Sequence, residues 1–533
     1  MRTAHLVTGI VRSACLLLAV ALVGGFTSAQ RLHANESTAD WPSSGHDIFN
    51  TGHDPAEATI SAANVGLLGV KWAHGPVAVV GTPVIMDGVV YMADAFGVVH
   101  ARNADDGSPL WVTAVGTGKV DPVLGLAVHG APVVTSDALF VGDSAATVHK
   151  LDRATGALLW SVQLDEDPNA LIQGDPIVHD GLVMVGISSF QADSIEPPTF
   201  RGQVAAIDQE SGEIEWRAYT TSDQTLETPK YGAGVGVWSS PAIDPINDWL
   251  YIGTGQFYEP GSQVPGPKSR GDRDYSDSLI VIDIHSGKII KSRQFTAGDI
   301  WSGLFPDGLD YDVGIPPNLF SIEIHKGLGQ RDFVGIGDKE GTYYVLDRHS
   351  LQPIWSRKIS QGSVVGGFQS TAAFVDGVIY VAAHELFDGR SLNDLAPPGR
   401  AAQFYFSEAG VFVLQNLSRT NLRAIDAATG NVIWKQEVVG GATFAPLIVA
   451  NGVVYWADIG GRVRALDART GEELFFDEIT ITLPVPGVPG AFVEVPQVVT
   501  AMSFSDGQLF VAHGVPIPGF NPGGVSVYGL PEP

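Results

Sequence analysis

The chain has 533 residues, with 63 Gly, 33 Pro and a formal charge of −27, and this acidity makes phosphate backbones and anionic membranes poor partners. Gly and Pro at that density, between β-branched residues, point to many short strands and turns, and an all-β repeat of this length can form one unit. At the N-terminus Arg2 and Arg12 precede an apolar run, Cys15 to Val23, and Thr27-Ser28-Ala29 offers small residues for cleavage before Gln30. This is the pattern of an export signal over residues 1–29, so the expected compartment is the periplasm or the outside of the cell. The run is too short to favour a spanning helix, so no stable membrane insertion is expected. Cys15, the one cysteine, lies inside the signal. The mature chain is therefore expected to lack a disulfide, a thiolate nucleophile and a Cys-x-x-Cys-His haem site.

Residues 30–66 read as a polar, irregular extension, and its stretch WPSSGHDIFNTGHDP has no usable period. His46 and His53 within it are loosely spaced and have no carboxylate cluster beside them, a weak case for metal. From residue 67 the chain repeats. An Asp or Asn is followed four positions on by Gly and eight positions on by an aromatic: Asn103/Gly107/Trp111, Asp152/Gly156/Trp160, Asp208/Gly212/Trp216, Asp426/Gly430/Trp434 and Asp467/Gly471/Phe475. Two copies are imperfect, with Lys291 in the aromatic slot after Asp283/Gly287 and Leu351 in the glycine slot of Asp347/Trp355. The acidic or amide side chain accepts backbone hydrogen bonds in a turn, and Gly supplies positive φ. Paired-strand patterns such as PVIMDGVVYMAD and PLIVANGVVYWAD precede the copies. Each unit is thus about four short strands, in the size range of propeller blades, and must pack against neighbours to bury both faces.

The expected fold is all-β, an eight-bladed β-propeller over 67–533. The last unit, AMSFSDGQLFVAH…GGVSVYGL, has no aromatic copy of its own, and Trp72 in LLGVKWAHG looks like its missing strand. N- and C-terminal strands would then close the ring. Long insertions fall at 188–202, 256–278, 299–317, 384–410 and 483–496, and such loops on one face of a repeat fold often carry the site. The stretch YGAGVGVWSSPAIDPINDWLYIGTGQFYE, residues 231–259, places glycines on both sides of Trp238, suggesting backbone brought close to something flat. Its glycine series 232/234/236 leads into a strand and not a helix, so it is no dinucleotide fingerprint.

With these residues in view, the chain resembles the quinoprotein alcohol dehydrogenases, and within them the polyvinyl-alcohol dehydrogenase branch. The resemblance covers nearly all of the chain after the signal. It implies an eight-bladed propeller that binds pyrroloquinoline quinone (PQQ) and a calcium ion. Trp238, followed by a strand pair and Gly253-Thr254-Gly255, stands where the family places the tryptophan that stacks under the quinone. The segment AGDIWSGLFPDGLDYDVGIPPNL resembles the one bearing the family's catalytic aspartate. Asp310 matches best, Asp312 is the second choice, and Asp299 matches an accompanying acidic position. Lys339, in GDKEGTYYVLD, stands where relatives hold the quinone oxygens. At the metal the chain departs from the pattern. Gln191 occupies the place of the family's calcium glutamate and Gln256 that of its asparagine, with Asp310 as the remaining ligand. Losing a carboxylate weakens a calcium site, and Asp193, Glu196 or Glu259 would have to substitute. The adjacent cysteine pair of some relatives is absent too.

Each residue also has a plainer reading: an inter-blade aromatic for Trp238, a turn carboxylate for Asp310, a solvated hairpin lysine for Lys339, and loop-bracing amides for the two glutamines. The resemblance implies an enzyme that oxidises secondary alcohols, polymeric ones included, and passes electrons to a separate acceptor such as a cytochrome c. The alternative is a cofactor-free propeller serving as an envelope binding or assembly scaffold, for which the two glutamines are the main argument.

Overall fold

The computed structural model describes residues 40–532, apart from 76–77, 117, 192–197, 222–232, 259–274, 303–309, 324–328, 397–403, 405–406, 485–491 and 515–522. The signal, together with Gly232, Asp193, Glu196 and Glu259, lies outside these residues.

Eight antiparallel sheets follow one another along the chain as the blades of a propeller. Blades 1 to 7 span 84–114, 133–163, 170–219, 242–294, 318–358, 373–439 and 448–478, and blade 8 takes three strands from 499–529. Its fourth is the N-terminal strand Gly69–His74, which pairs antiparallel with Gly524–Gly529. The ring is closed by the two ends of the described chain, as the position of Trp72 predicts. The first hairpin of most blades turns on Asp-Gly or Asn-Gly with positive φ at both residues, as at Asp87-Gly88 and Asn451-Gly452. That geometry matches the strands' own right-handed twist.

The repeat motif explains how the blades join. Each motif glycine lies against the tryptophan of the preceding blade: Gly107 on Trp72, Gly156 on Trp111, Gly287 on Trp216, Gly430 on Trp355 and Gly471 on Trp434. A Cβ on Gly107 would stand 2.5 Å from the indole, so only glycine fits, and its φ of +69° demands glycine anyway. The N–H of each of these five indoles then donates to a carbonyl just beyond the motif's acid, as from Trp72 to Ala104 at 2.9 Å and from Trp434 to Ala468 at 2.9 Å. The two imperfect copies turn out to be the two halves of one joint. Blade 4 offers Lys291 where an indole would stand, and blade 5 meets it with Leu351, buried at φ +56°. Lys291 Nζ lies 3.7 Å from the centroid of the Trp249 ring and donates to the carbonyl of His349. With no indole to admit, the glycine is not needed.

The stretch WPSSGHDIFNTGHDP, aperiodic in sequence, runs as a girdle around the inner strands. Trp41 exchanges backbone bonds with Ile85 of blade 1, and Pro42 accepts from Val134 of blade 2. Ser44 reaches Asp175 at the entrance to blade 3. The carbonyls of Ile48, Phe49, Thr51 and Gly52 accept from Ile243, Leu319, Phe374 and Val449 in blades 4 to 7. Glu57 takes the N–H of Gly507 in blade 8. These contacts fall mostly near the end of each inner strand that leads to the first hairpin. The connections between blades lie at the other end, and they build the site.

Candidate active site

Four segments meet at the axis. Trp238 lies on the connection from blade 3 to blade 4, and Gln256 follows the second strand of blade 4, Trp249–Gly253. Asp299, Asp310 and Asp312 lie on the connection from blade 4 to blade 5, and Lys339 sits in the turn between Gln330–Gly337 and Thr342–Asp347. Backbone bonds stitch these together: Val235 N to Gln256 O at 2.7 Å, Val313 N to Thr254 O at 3.1 Å and Lys339 N to Asp312 O at 2.9 Å.

Lys339 donates to both carboxylates, to Asp310 Oδ1 and to Asp312 Oδ2, each at 3.0 Å. It is therefore an ion-paired, nearly enclosed cation and not a solvated hairpin lysine. Asp312 Oδ2 also accepts from Trp238 Nε1 at 2.9 Å, and its Oδ1 from the N–H of Gln256 at 2.9 Å. Asp310 differs. Among the described residues its Oδ2 has no hydrogen-bond partner, although the residue is buried, at 1% exposed. Asp310 has φ +51°, and Asp299 holds the backbone there by accepting from the N–H of Asp310 at 3.0 Å and of Tyr311 at 2.6 Å. Asp299 thus shapes the loop that presents Asp310.

Burial pushes the Asp310 carboxyl well above the usual carboxylate range, against the opposing pull of Lys339 and with help from Asp312 and Asp299. Burial likewise raises Asp299, its backbone donors opposing and Asp312 adding to the rise. Burial alone would lower Lys339, but the two carboxylates outweigh it and raise the ammonium above its ordinary value. A pocket carboxylate with a raised pKa and one vacant oxygen can take a proton from a bound group.

The cavity over these groups has Trp238 as part of its floor and Phe190, Tyr258, Trp301, Val364, Val365 and Phe444 among its walls. Gly314 lies so close to the indole that a Cβ there would fall inside the ring's contact envelope. Between Gly314 and the bond to Asp312 the indole is clamped, and it remains partly exposed towards the cavity. Below Trp238 a polar axial cavity reaches down to Ser44 of the girdle and shares Gln173, Gln369 and Phe444 with the one above. Sequence reasoning missed Gln173, Gln369 and Phe444. The available signal was positional, since each, like Trp238, lies just ahead of an inner strand.

A flat, polar quinone fits this arrangement: a clamped aromatic face, a cation and a vacant carboxylate oxygen at its edge. Among the described residues the donors do not fit calcium. The Oε1 of Gln191 already accepts from the N–H of Thr199 at 2.8 Å and of Phe200 at 2.9 Å, bracing its own loop, and Gln191 does not line the cavity. Gln256 does line it, and its Nε2 donates to Trp301 O at 3.2 Å. Among the described residues no three His, Cys, Asp or Glu gather to hold a metal ion. One available carboxylate beside an ammonium is not the anionic oxygen cage that calcium takes.

Fold and site together define a propeller with a dehydrogenase-like cavity on its axis. The family model described as "Glucose/ethanol/alcohol dehydrogenase, beta-propeller domain" matches residues 41–373, and the chain belongs to this PQQ-dependent alcohol dehydrogenase family. The model of the outer membrane protein assembly factor BamB matches residues 339–510. Among similar proteins is a polyvinylalcohol dehydrogenase of Sphingopyxis sp., 27% identical over 471 residues, or 83% of this chain and 67% of the relative. A quinohemoprotein alcohol dehydrogenase of Comamonas testosteroni is 25% identical over 513 residues, or 82% of this chain and 69% of the relative. The crystal structure of the Comamonas testosteroni enzyme superposes with a TM-score of 0.70 at 21% identity, covering 93% of this chain and 82% of that one. Among the described residues no helix is long and apolar enough to cross a membrane.

Proposed function

We propose that the protein is an exported PQQ-dependent dehydrogenase that oxidises secondary alcohols, polymeric ones included, and passes the electrons to a separate acceptor such as a cytochrome c. The observation that carries the reading is Asp310 Oδ2, a buried carboxylate oxygen that has no partner among the described residues and lies at the edge of a clamped indole. The quinone, when bound, supplies the two-electron acceptor. The protein supplies the rest. Trp238 offers the stacking face, and Lys339 fixes Asp310 by its other oxygen, Oδ1, leaving Oδ2 to take the hydroxyl proton of the alcohol. Asp299 holds the strained backbone that aims this carboxylate. Phe190, Val364, Val365 and Phe444 take up the hydrocarbon part of the substrate and exclude water. The polymeric substrate rests on the names of the relatives, and no step here runs through calcium.

The test is reconstitution of the purified protein with PQQ, with and without calcium, reading retained quinone absorbance after desalting and then dye reduction with a panel of secondary alcohols. The expected result is retained quinone, alcohol-dependent reduction, and loss of reduction by at least about a hundredfold in Asp310→Asn with the quinone still bound. Failure to retain quinone at high concentration would refute the proposal and favour the scaffold reading.

A further inference from the structure

We propose that Asp312 is the positioning residue of this site: one carboxylate that fixes the Trp238 indole, the Lys339 ammonium and the Gln256 loop, and leaves proton transfer to Asp310. The proposal rests on the reading of Asp310 as the base and Trp238 as the platform.

Two aspartates stand two residues apart on one loop, yet their surroundings are opposite. Among the described residues Asp310 Oδ2 has no hydrogen-bond partner. Both oxygens of Asp312 are engaged, Oδ2 by Trp238 Nε1 at 2.9 Å and Lys339 Nζ at 3.0 Å, and Oδ1 by the Gln256 N–H at 2.9 Å. The three donors come from separate segments: the connection into blade 4, the body of blade 4, and blade 5. The close approach is built in, since a Cβ on Gly255 would stand 3.0 Å from Asp312 Oδ1. The Asp312 backbone carbonyl also accepts from Lys339 N at 2.9 Å. A carboxylate whose two oxygens already accept three protein donors offers no free oxygen to the hydroxyl proton of a bound alcohol. It is therefore a poor base and a good anchor. The indole has its N–H edge on Asp312 and a carbon edge against Gly314, so losing the carboxylate frees the ring to tilt.

The experiment compares Asp312→Asn, which keeps the shape and removes the charge, with Asp312→Ala, which removes the acceptor. In the cofactor-free protein, the indole N–H resonance of Trp238, identified by its loss in Trp238→Phe, is expected to move upfield in Asp312→Ala as its charged acceptor goes. Quinone retention is expected to weaken tenfold or more in Asp312→Ala. Asp312→Asn is expected to keep turnover within about tenfold of the parent. The proposal is overturned if Asp312→Asn is as inactive as Asp310→Asn with unchanged quinone binding, which would make Asp312 the base. It is equally overturned if the Trp238 resonance is unmoved in Asp312→Ala. If the parent retains no quinone, the dehydrogenase reading fails, and the Trp238 resonance still decides the anchoring role.

Discussion

The joint between blades 4 and 5 offers a direct test of how the blades are locked. At most other joints an indole on one blade lies on a positive-φ glycine of the next, and a Cβ at that glycine would stand 2.5 Å from Trp111 at Gly156, 2.6 Å from Trp216 at Gly287 and 2.7 Å from Trp434 at Gly471. Here Lys291 faces Leu351, which is 3% exposed at φ +56°. Lys291→Trp alone drives an indole into the leucine, an overpacking cost of about 1–3 kcal/mol, and removes the cation over Trp249. Leu351→Gly alone empties a buried site, a loss of about 2–4 kcal/mol, offset by roughly 1 kcal/mol as the left-handed strain is relieved. In the double variant the indole occupies the emptied space and its N–H gains a carbonyl, as Trp355 does with Ala427 at 2.9 Å. The double variant should therefore be more stable than the sum of the singles by about 2 kcal/mol or more. Urea midpoints of the four proteins of this double-mutant cycle measure the coupling. Additive effects would refute the idea that lysine and leucine are the two halves of one exchanged lock.

The girdle makes a second prediction. Asn50 Nδ2 donates to the carbonyls of Pro241 at 3.0 Å and Pro317 at 3.1 Å, so Asn50→Ala strands two buried acceptors and should cost about 2–4 kcal/mol, read as a lowered thermal midpoint. A third concerns acid. Burial holds His384 neutral, its pKa lowered to about 4 from 6.5, while its ring donates to Val365 O at 2.6 Å. The unfolded chain takes up that proton below pH 6.5 and the folded chain does not until about pH 4, so the stability this group contributes is complete above 6.5 and falls as pH drops towards 4. The loss is about 3 kcal/mol at the lower limit, and stability against pH should be flatter for His384→Gln over that window. Equal slopes would show that His384 is not the group responsible.

The sequence alone determined what depends on near neighbours along the chain. Turn chemistry over four residues and strand alternation over six made the blades countable, and the orphaned last unit with Trp72 implied the closing strand. Motif context also pointed to the loops that meet on the axis, and the structure brings Trp238, Asp310, Asp312, Lys339 and Gln256 together there. Other features depended on partners distant in sequence. The stretch from Trp41 to Glu57 has no period because it packs on no sheet of its own; its bonds reach residues as far as 450 positions away. Lys291 and Leu351 looked like two defects until the ring set them face to face. Asp299, Asp310 and Asp312 are the same residue type on one loop, and composition cannot separate them. Only the fold gives Asp299 the loop amides, Asp312 an indole, an ammonium and an amide, and Asp310 an oxygen with no partner among the described residues. A carboxylate's role is set by which donors reach it, and that is decided in three dimensions.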